Sequence, residues 1–469
     1  EELAEKYNNV LYHRHQYARI EIFKNHFYIK EYDENVYEII YKLKKYAESG
    51  IKNYTHSVDL WMKNSGLIID CDEKKNALRN LFKNSKVAFI YGAAGTGKST
   101  MINYISSLFK DKQKIFLANT NPAVENLRRK VTAEHAEFVT ITKFLSKDVS
   151  NDCDILCLDE CSTISNRDMV RVLQRAQCKL LVLVGDIYQI ESILFGNWFN
   201  IAYKVMPKDS VAELTRPHRT TVQGLIEVWN KVREITEDRL EFITRNGLSS
   251  TLDESIFSRT EEDEIVLCLN YDGIYGINNI NKFLQSNNVN PSINWGVLSY
   301  KVGDPVLFNE SNRFAPLVYN NLKGKILQIE EEEDCIYFTI EVYTVLNELD
   351  VIGFDLELKE SVTDETSVIR FKVGRGGDGN DDNDNVENVV PFQVAYAISI
   401  HKAQGLEYES VKVVSHNIFY TAITRAKSKL KIYWSPETEK RILENMKVQF
   451  NDKDYQLFKA KYKEALLKS

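Results

Sequence analysis

Gly92-Ala-Ala-Gly-Thr-Gly-Lys-Ser99 is a complete phosphate cradle in eight consecutive residues, matching G-x-x-x-x-G-K-[ST] without a gap. Lys86-Val-Ala-Phe-Ile-Tyr91 before it is a short apolar run of strand type, and Thr100 to Phe109 after it carries apolar residues at helical spacing. Strand, glycine loop and helix in that order are the context the motif needs. Gly92, Gly95 and Gly97 let the backbone curl so that successive N–H groups face phosphate oxygens, and the helix start adds its dipole. The predicted nucleotide contacts are Gly92, Ala93, Ala94, Gly95, Thr96, Gly97, Lys98, Ser99 and Thr100. Lys98 is expected to neutralise the β- and γ-phosphates of a nucleotide, and Ser99 to hold Mg²⁺ through its hydroxyl. A glycine-rich turn with a chance lysine is the plain alternative, and the flanking patterns argue against it.

From Lys86 to about Asn200, strand patterns alternate with helical ones, at Lys86–Tyr91, Lys114–Ala118, Glu137–Thr140, Asp154–Leu158 and Leu180–Val184. Such alternation predicts βαβ units and a parallel sheet, with ligands at the carboxyl ends of the strands. At one such end, Leu156-Cys-Leu-Asp159-Glu160 runs from apolar residues straight into two carboxylates. Asp159 is placed to join Ser99 in the Mg²⁺ shell, and Glu160 to take a proton from the attacking water. Two adjacent acids alone say little, but these follow a strand about sixty residues after the loop. At the end of the next strand, Leu183-Val-Gly-Asp186-Ile-Tyr-Gln189 offers the neutral amide of Gln189, which can sense the γ-phosphate without competing for Mg²⁺. Read alone, that segment is equally a turn.

At 469 residues the chain is too long for one core and suits two or three domains, and a 43% hydrophobic content is that of a globular protein. No apolar run is long enough to span a membrane and no N-terminal stretch has signal-peptide form, so a soluble cytoplasmic protein is expected. The seven cysteines are scattered and form no Cys-x-x-Cys pair, which argues against a zinc or iron–sulfur centre. A net charge of −7 argues against coating nucleic acid by bulk charge, while leaving room for a local basic groove. The basic run in the last fifty residues reads first as a solvated helix face.

The first 65 residues are rich in tyrosine, histidine and charge, with helical spacing at Val36, Ile39, Ile40 and Leu43 and no catalytic motif. The chain opens on Glu1, which suggests the tail of a larger protein. Strands at Glu264–Asn270, Pro305–Phe308 and Lys429–Trp434 predict a second α/β domain. Short alternating runs at Ile336–Val345 and Ser367–Val373 predict a small β insertion, and Gly376 to Asn385 an acidic loop.

With two further motifs in view, the chain resembles the superfamily 1 helicases and, within them, the RecD-like 5′-to-3′ branch. These motifs are Ala395-Tyr-Ala-Ile-Ser-Ile-His-Lys-Ala-Gln-Gly-Leu-Glu407 and Phe419-Tyr-Thr-Ala-Ile-Thr-Arg-Ala-Lys427, and the resemblance covers about Asp70 to Trp434. It implies two RecA-like P-loop domains with parallel sheets, a small SH3-like β insertion in the second, and a helical N-terminal region. The implied bounds are 1–65, 66–205, 206–326, 327–390 for the insertion, 391–435, and 436–469 for C-terminal helices. Lys98, Ser99, Asp159, Glu160 and Gln189 match the family's nucleotide site, which Gly405 and Glu407 would join. Arg425 resembles its arginine finger from the second domain, and Arg219 in Leu214-Thr-Arg-Pro-His-Arg219 the other, with Arg216 as a rival. For single-stranded nucleic acid, Thr120, Asn121, Thr140 and Phe144 resemble contacts of the first domain, and Ser399, His401 and Lys402 those of the second.

Three departures stand beside the likeness. Asp72-Glu-Lys-Lys75 occupies the place where a glutamine usually reads adenine, the span from Val131 to Asp154 has no room for a large accessory domain, and little chain separates Val414 from the last motif. The last predicts that Val414 and Ser415 are not true neighbours. The implied activity is ATP-dependent movement along single-stranded DNA. An RNA helicase, and an ATP-gated sensor of nucleic acid in a repair or antiviral defence complex with a protein partner at the N-terminal region, are the other readings.

Overall fold

The computed structural model describes residues 1–146, 151–188, 195–234, 236–309, 313–315, 317–375, 388–414, 419–435, 437, 440 and 453–462. The chain divides into two units, Glu1–Thr221 with Met446–Ser469, and Val222–Asn445.

The first unit opens with an antiparallel hairpin, β1 (Ile20–Phe23) and β2 (His26–Ile29), which leads into the helix Lys30–Ala47. That helix buries Val36, Ile39, Ile40 and Leu43, an i, i+3, i+4, i+7 stripe that fixes which face meets the core. Then come β3 (Val87–Gly92), β4 (Lys114–Ala118), β5 (Ala136–Thr140), β6 (Asp152–Leu158), β7 (Gln177–Gly185) and β8 (Val211–Leu214), in the spatial order β5-β4-β6-β7-β3-β8. Every pairing in this sheet is parallel. A parallel sheet needs cover on both faces, and β3 is buried at every position. Phe89, Leu117, Leu156 and Leu183 face one core with Trp198, while Ile90, Phe116, Ile155 and Val182 face another with Met101.

In the second unit, β9 (Ser249–Ser250) and β10 (Glu264–Cys268) precede a hairpin of β11 (Ser292–Trp295) and β12 (Leu298–Lys301). An antiparallel sheet follows, made of β13 (Pro305–Phe308), β14 (Lys323–Glu331), β15 (Cys335–Val342), β16 (Glu357–Lys359), β17 (Ser367–Gly374) and β18 (Phe392–Val394). Along β15, Ile336, Phe338, Ile340 and Val342 alternate into a core shared with Tyr300, Phe308, Phe371 and Phe392. The chain returns through β19 (Ala397–Ser399), β20 (Tyr408–Val414) and β21 (Ala426–Tyr433) to a parallel sheet ordered β19-β10-β20-β21-β9. Lys412 on β20 and Glu264 on β10 form a buried ion pair at 3.0 Å, and Ser410 and Thr260 donate to the same carboxylate.

Several expected bounds move. The first unit runs on to Thr221, not 205, because β8 pairs with β3 and completes its sheet. Pro305–Phe308 pairs with β14 and β18, so it belongs to the β insertion, which begins before 327 and ends after 390. The N-terminal region holds a hairpin beside its helices. The C-terminal helix Lys453–Lys461 packs Phe458 into the first unit's core, while Lys453 and Lys459 are exposed and Lys461 is paired with Asp33. The acidic loop 376–385 and Ser415 lie outside the described residues. Among the described residues, no helix is long and apolar enough to cross a membrane.

Lys461 donates to Asp33 at 2.5 Å and Tyr462 donates to the same carboxylate at 2.7 Å, with the Asp33 side chain only 7% exposed. Burial disfavours the charged lysine, but its bonds to Asp33 and Tyr28 outweigh that and leave its pKa raised. The lysine's contribution therefore holds at neutral pH and is lost as pH climbs through that raised value. Asp33→Ala strands the lysine and should cost about 3 kcal/mol in urea unfolding, whereas Asp33→Leu with Lys461→Met should cost much less. Equal losses in the two variants would show that packing, not charge, holds the C-terminal helix.

Candidate functional site

Crossovers in a parallel sheet return each strand in the same direction, so the carboxyl ends of β3, β4, β5, β6 and β7 share one edge. At the end of β3 the loop turns through Gly95 and Gly97, whose φ angles of 76° and 87° disfavour any residue with a side chain. Space demands glycine as well. A Cβ on Gly95 would lie 2.5 Å from the Cβ of Arg219, and one on Gly97 2.5 Å from Lys74 Nζ. Thr96 is buried and donates through its hydroxyl to the Ala93 carbonyl at 2.9 Å, closing the turn from within. Lys98 starts the helix Lys98–Leu108 and donates to the carbonyls of Gly92 at 2.8 Å and Ala93 at 2.9 Å. Ala94 is buried, while Ser99 and Thr100 are half-buried in the helix's first turn.

Asp159 leaves β6 with its N–H donating to the Leu117 carbonyl on β4, and its carboxylate accepts from the Glu160 N–H at 2.8 Å. Burial pushes its pKa above the ordinary aspartate value, against the Glu160 N–H and the charges of Lys98 and Lys130. The field of Lys98 at Asp159 puts loop and carboxylate in one electrostatic site. Glu160 sits at φ 52°, in the left-handed region, where a residue with a side chain carries strain. Such strain is commonest where chemistry needs a fixed side-chain direction. Ser99 and Asp159 are hard oxygen donors of the kind Mg²⁺ takes, and so fit that ion. Asp186, just beyond β7, is buried and accepts from the Tyr188 N–H. Gln189 lies outside the described residues.

Arg219 belongs to the same unit as the loop, since the stretch after β8 folds back until the His218 N–H donates to the Gly95 carbonyl at 2.7 Å. This corrects its expected place in the second domain. Arg216 is exposed. The same stretch is tied to the helix Asp72–Asn80, where Glu73 accepts from the N–H and hydroxyl of Thr215. Lys74, fully buried beside Gly97, pairs with Asp70 at 2.5 Å and has His218 3.5 Å away. Sequence reading passed over Lys74. Its i, i+4 spacing to Asp70 was visible, but its burial against the loop was not.

Thr120 and Thr140 cap the helices Asn121–Lys130 and Ile141–Leu145 at the ends of β4 and β5, and Ala118 and Thr140 are direct register partners. Thr120 and Asn121 are exposed. Phe144 corrects the expectation of a nucleic-acid contact, because its ring is fully buried in the sheet's core beneath Arg175. In the second unit Ser399 is buried and its hydroxyl accepts from the Lys402 N–H, so it shapes the turn that carries exposed His401. Lys402 donates to Gln393 at 2.7 Å, and burial lowers its pKa. Gly405 takes a φ of 80°, and the Glu407 carbonyl accepts from Lys323. Arg425 is 2% exposed and donates to the carbonyls of Thr421 at 2.9 Å and Leu406 at 3.4 Å.

Comparison with known proteins agrees with this geometry. Residues 71–253 match the AAA domain family, and residues 394–433 the UvrD-like helicase C-terminal domain. The uncharacterized protein MJ1519 of Methanocaldococcus jannaschii is 24% identical over 76% of this chain, which spans 37% of that protein's length. The RecBCD enzyme subunit RecD of Buchnera aphidicola is 23% identical over 81% of this chain and 78% of its own. The crystal structure of Pif1 helicase from Candida albicans matches 81% of this chain and 100% of its own at a TM-score of 0.50 and 18% identity, a likeness of fold. With a P-loop unit and a UvrD-like segment following one another in a single chain, the protein is similar to the superfamily 1 helicases, RecD among them.

Proposed function

We propose that the chain is an ATP-dependent translocase or helicase that moves 5′ to 3′ along single-stranded DNA in the cytoplasm. The observation that carries this reading is the gathering of Lys98, Ser99, Asp159 and Glu160 on one sheet edge that also ends in Thr120 and Thr140. The loop N–H groups and Lys98 hold the triphosphate, and Glu160 accepts a proton from the attacking water. Mg²⁺ held by Ser99 and Asp159 would supply positive charge against the β,γ-phosphate oxygens. Gln189, Arg219 and Arg425 act on the γ-phosphate during turnover, and Gly405 and Glu407 border the nucleotide. Thr120, Asn121, Thr140, His401 and Lys402 contact the strand. Hydroxyls and amides release backbone phosphates more readily than a lysine row would, which suits a protein that must step. The likeness to RecD and to Pif1 helicase supports a motor over a static binder.

Lys98→Ala should remove both nucleotide binding and turnover. Glu160→Gln should keep binding and slow hydrolysis by roughly 10²- to 10⁴-fold, as loss of a general base does. Binding measured with a fluorescent nucleotide and turnover by phosphate release separate the two. Near-normal turnover in Glu160→Gln would remove its assignment as base.

Single-stranded DNA should raise turnover, with stimulation that weakens as salt rises. Arg219→Ala and Arg425→Ala should each lower turnover by roughly 10³-fold with little change in nucleotide affinity. Duplexes with a 5′ single-stranded tail should open faster than those with a 3′ tail. Stimulation by RNA alone would make this an RNA helicase, and stimulation without opening either duplex would make it an ATP-gated sensor.

A further inference from the structure

Residues 10–30 carry four cations, Arg14, Arg19, Lys24 and Lys30, against one acid, Glu21, in a chain whose net charge is −7. The fold sets this stretch on a short 3₁₀ turn, His13–Ala18, and the β1–β2 hairpin, ahead of the helix Lys30–Ala47. Lys30 is paired with Glu34 at 3.7 Å, whereas Arg14, Arg19 and Lys24 are exposed and have no carboxylate partner among the described residues. Beside these cations lies a row of rings. Tyr12 is 74% exposed and Tyr17 43%, and the His15 ring sits between them, with centroids 6.5 Å and 5.9 Å away. The Arg14 guanidinium lies 6.0 Å from the Tyr12 ring.

Exposed rings next to cations without a carboxylate partner match a ligand that is a polyanion and also has flat π-faces. We propose that this turn and hairpin form a second contact for single-stranded nucleic acid, with bases stacking on Tyr12 and Tyr17 and backbone phosphates meeting Arg14, Arg19 and Lys24. An acidic protein surface would satisfy the cations but leave the ring faces without a matching partner, whereas bases stack on such rings irrespective of sequence. The contact lies on the unit that carries the P-loop and comes from elements other than the strand ends. It rests on the proposed binding of single strands and lengthens the footprint that reading assigns.

The test uses the full chain, labelled oligothymidylate and a salt titration. Arg14→Ala/Arg19→Ala/Lys24→Ala should weaken binding about tenfold and flatten the slope of log K against log [salt] by about 2, as loss of three single-strand phosphate contacts does. Tyr12→Ala/Tyr17→Ala should weaken binding by a similar factor with the slope unchanged, because stacking releases no counterions. ATP turnover without polymer should match wild type in both, which shows that the variants fold. Photocrosslinking with 5-iodouracil should place adducts on Tyr12 or Tyr17. Wild-type affinity and slope in both variants, with loss of binding to a polyglutamate peptide, would overturn the proposal in favour of an acidic protein partner. A wild-type chain that binds no oligonucleotide would overturn it together with the polymer reading. Oligonucleotide binding lost only in strand-end variants such as Asn121→Ala would overturn it alone.

Discussion

Strands that pair only in parallel cannot be joined by tight turns, and that constraint orders the first unit. β3 is buried at every position and pairs in parallel with both its neighbours, so the chain must cross over the sheet between strands and the crossover helices cover its faces. The carboxyl ends of successive strands then fall on one edge whatever residues they carry. Chemistry needs only to be written at those ends. The glycine loop follows β3, Asp159 and Glu160 follow β6, and Thr120 and Thr140 follow β4 and β5. Groups from Gly92 to Asp186 are brought to that edge by sheet register.

The site adds strain to that order. Gly95 and Gly97 meet positive φ without penalty, but Glu160 meets it with a full side chain, at a cost of order 1 to 3 kcal/mol. Its carbonyl accepts from the Thr163 N–H and hydroxyl, and its N–H donates to Asp159, which together hold the conformation. On the other side, Lys74 and Arg219 approach the loop so closely that any side chain at Gly97 or Gly95 would displace them. The loop is thus fixed by its own dihedrals and by two neighbours from distant parts of the chain.

What the sequence made legible was whatever local pattern determines. The loop, the strand that feeds it and the carboxylates after β6 each read correctly as local elements, because a buried strand shows as an apolar run and the polar residue ending it stands out. Pro305–Phe308 misled because four apolar residues have no period, and only pairing with β14 and β18 assigns them to the antiparallel sheet. Phe144 follows Thr140 at the spacing of a surface contact, yet the short helix Ile141–Leu145 turns it inward, which depends on what packs above β5. The hairpin β1–β2 escaped because its strands are four residues each and half exposed, leaving no burial pattern. Arg219 was placed by likeness rather than by pairing, and β8, too short to stand out, carried it into the first unit.

Lysines serve two ends in this chain, and their acceptors differ: some meet carboxylates, and Lys98 meets carbonyls. Lys412 meets Glu264 with both side chains at most 6% exposed, and Lys461 meets Asp33, so each charge is answered where it lies and removing a carboxylate would leave it stranded. Lys98 instead donates to two neutral carbonyls of its own loop. A charged phosphate oxygen is a stronger acceptor than a carbonyl, by roughly a factor of two in bond strength. An incoming triphosphate can therefore draw Lys98 off the Gly92 and Ala93 carbonyls at a net gain, and those carbonyls can be satisfied by water. When the phosphate leaves, Lys98 can return to the same two carbonyls. Leaving a neutral carbonyl strands no charge, which on the proposed reading suits a site that must fill and empty on every cycle.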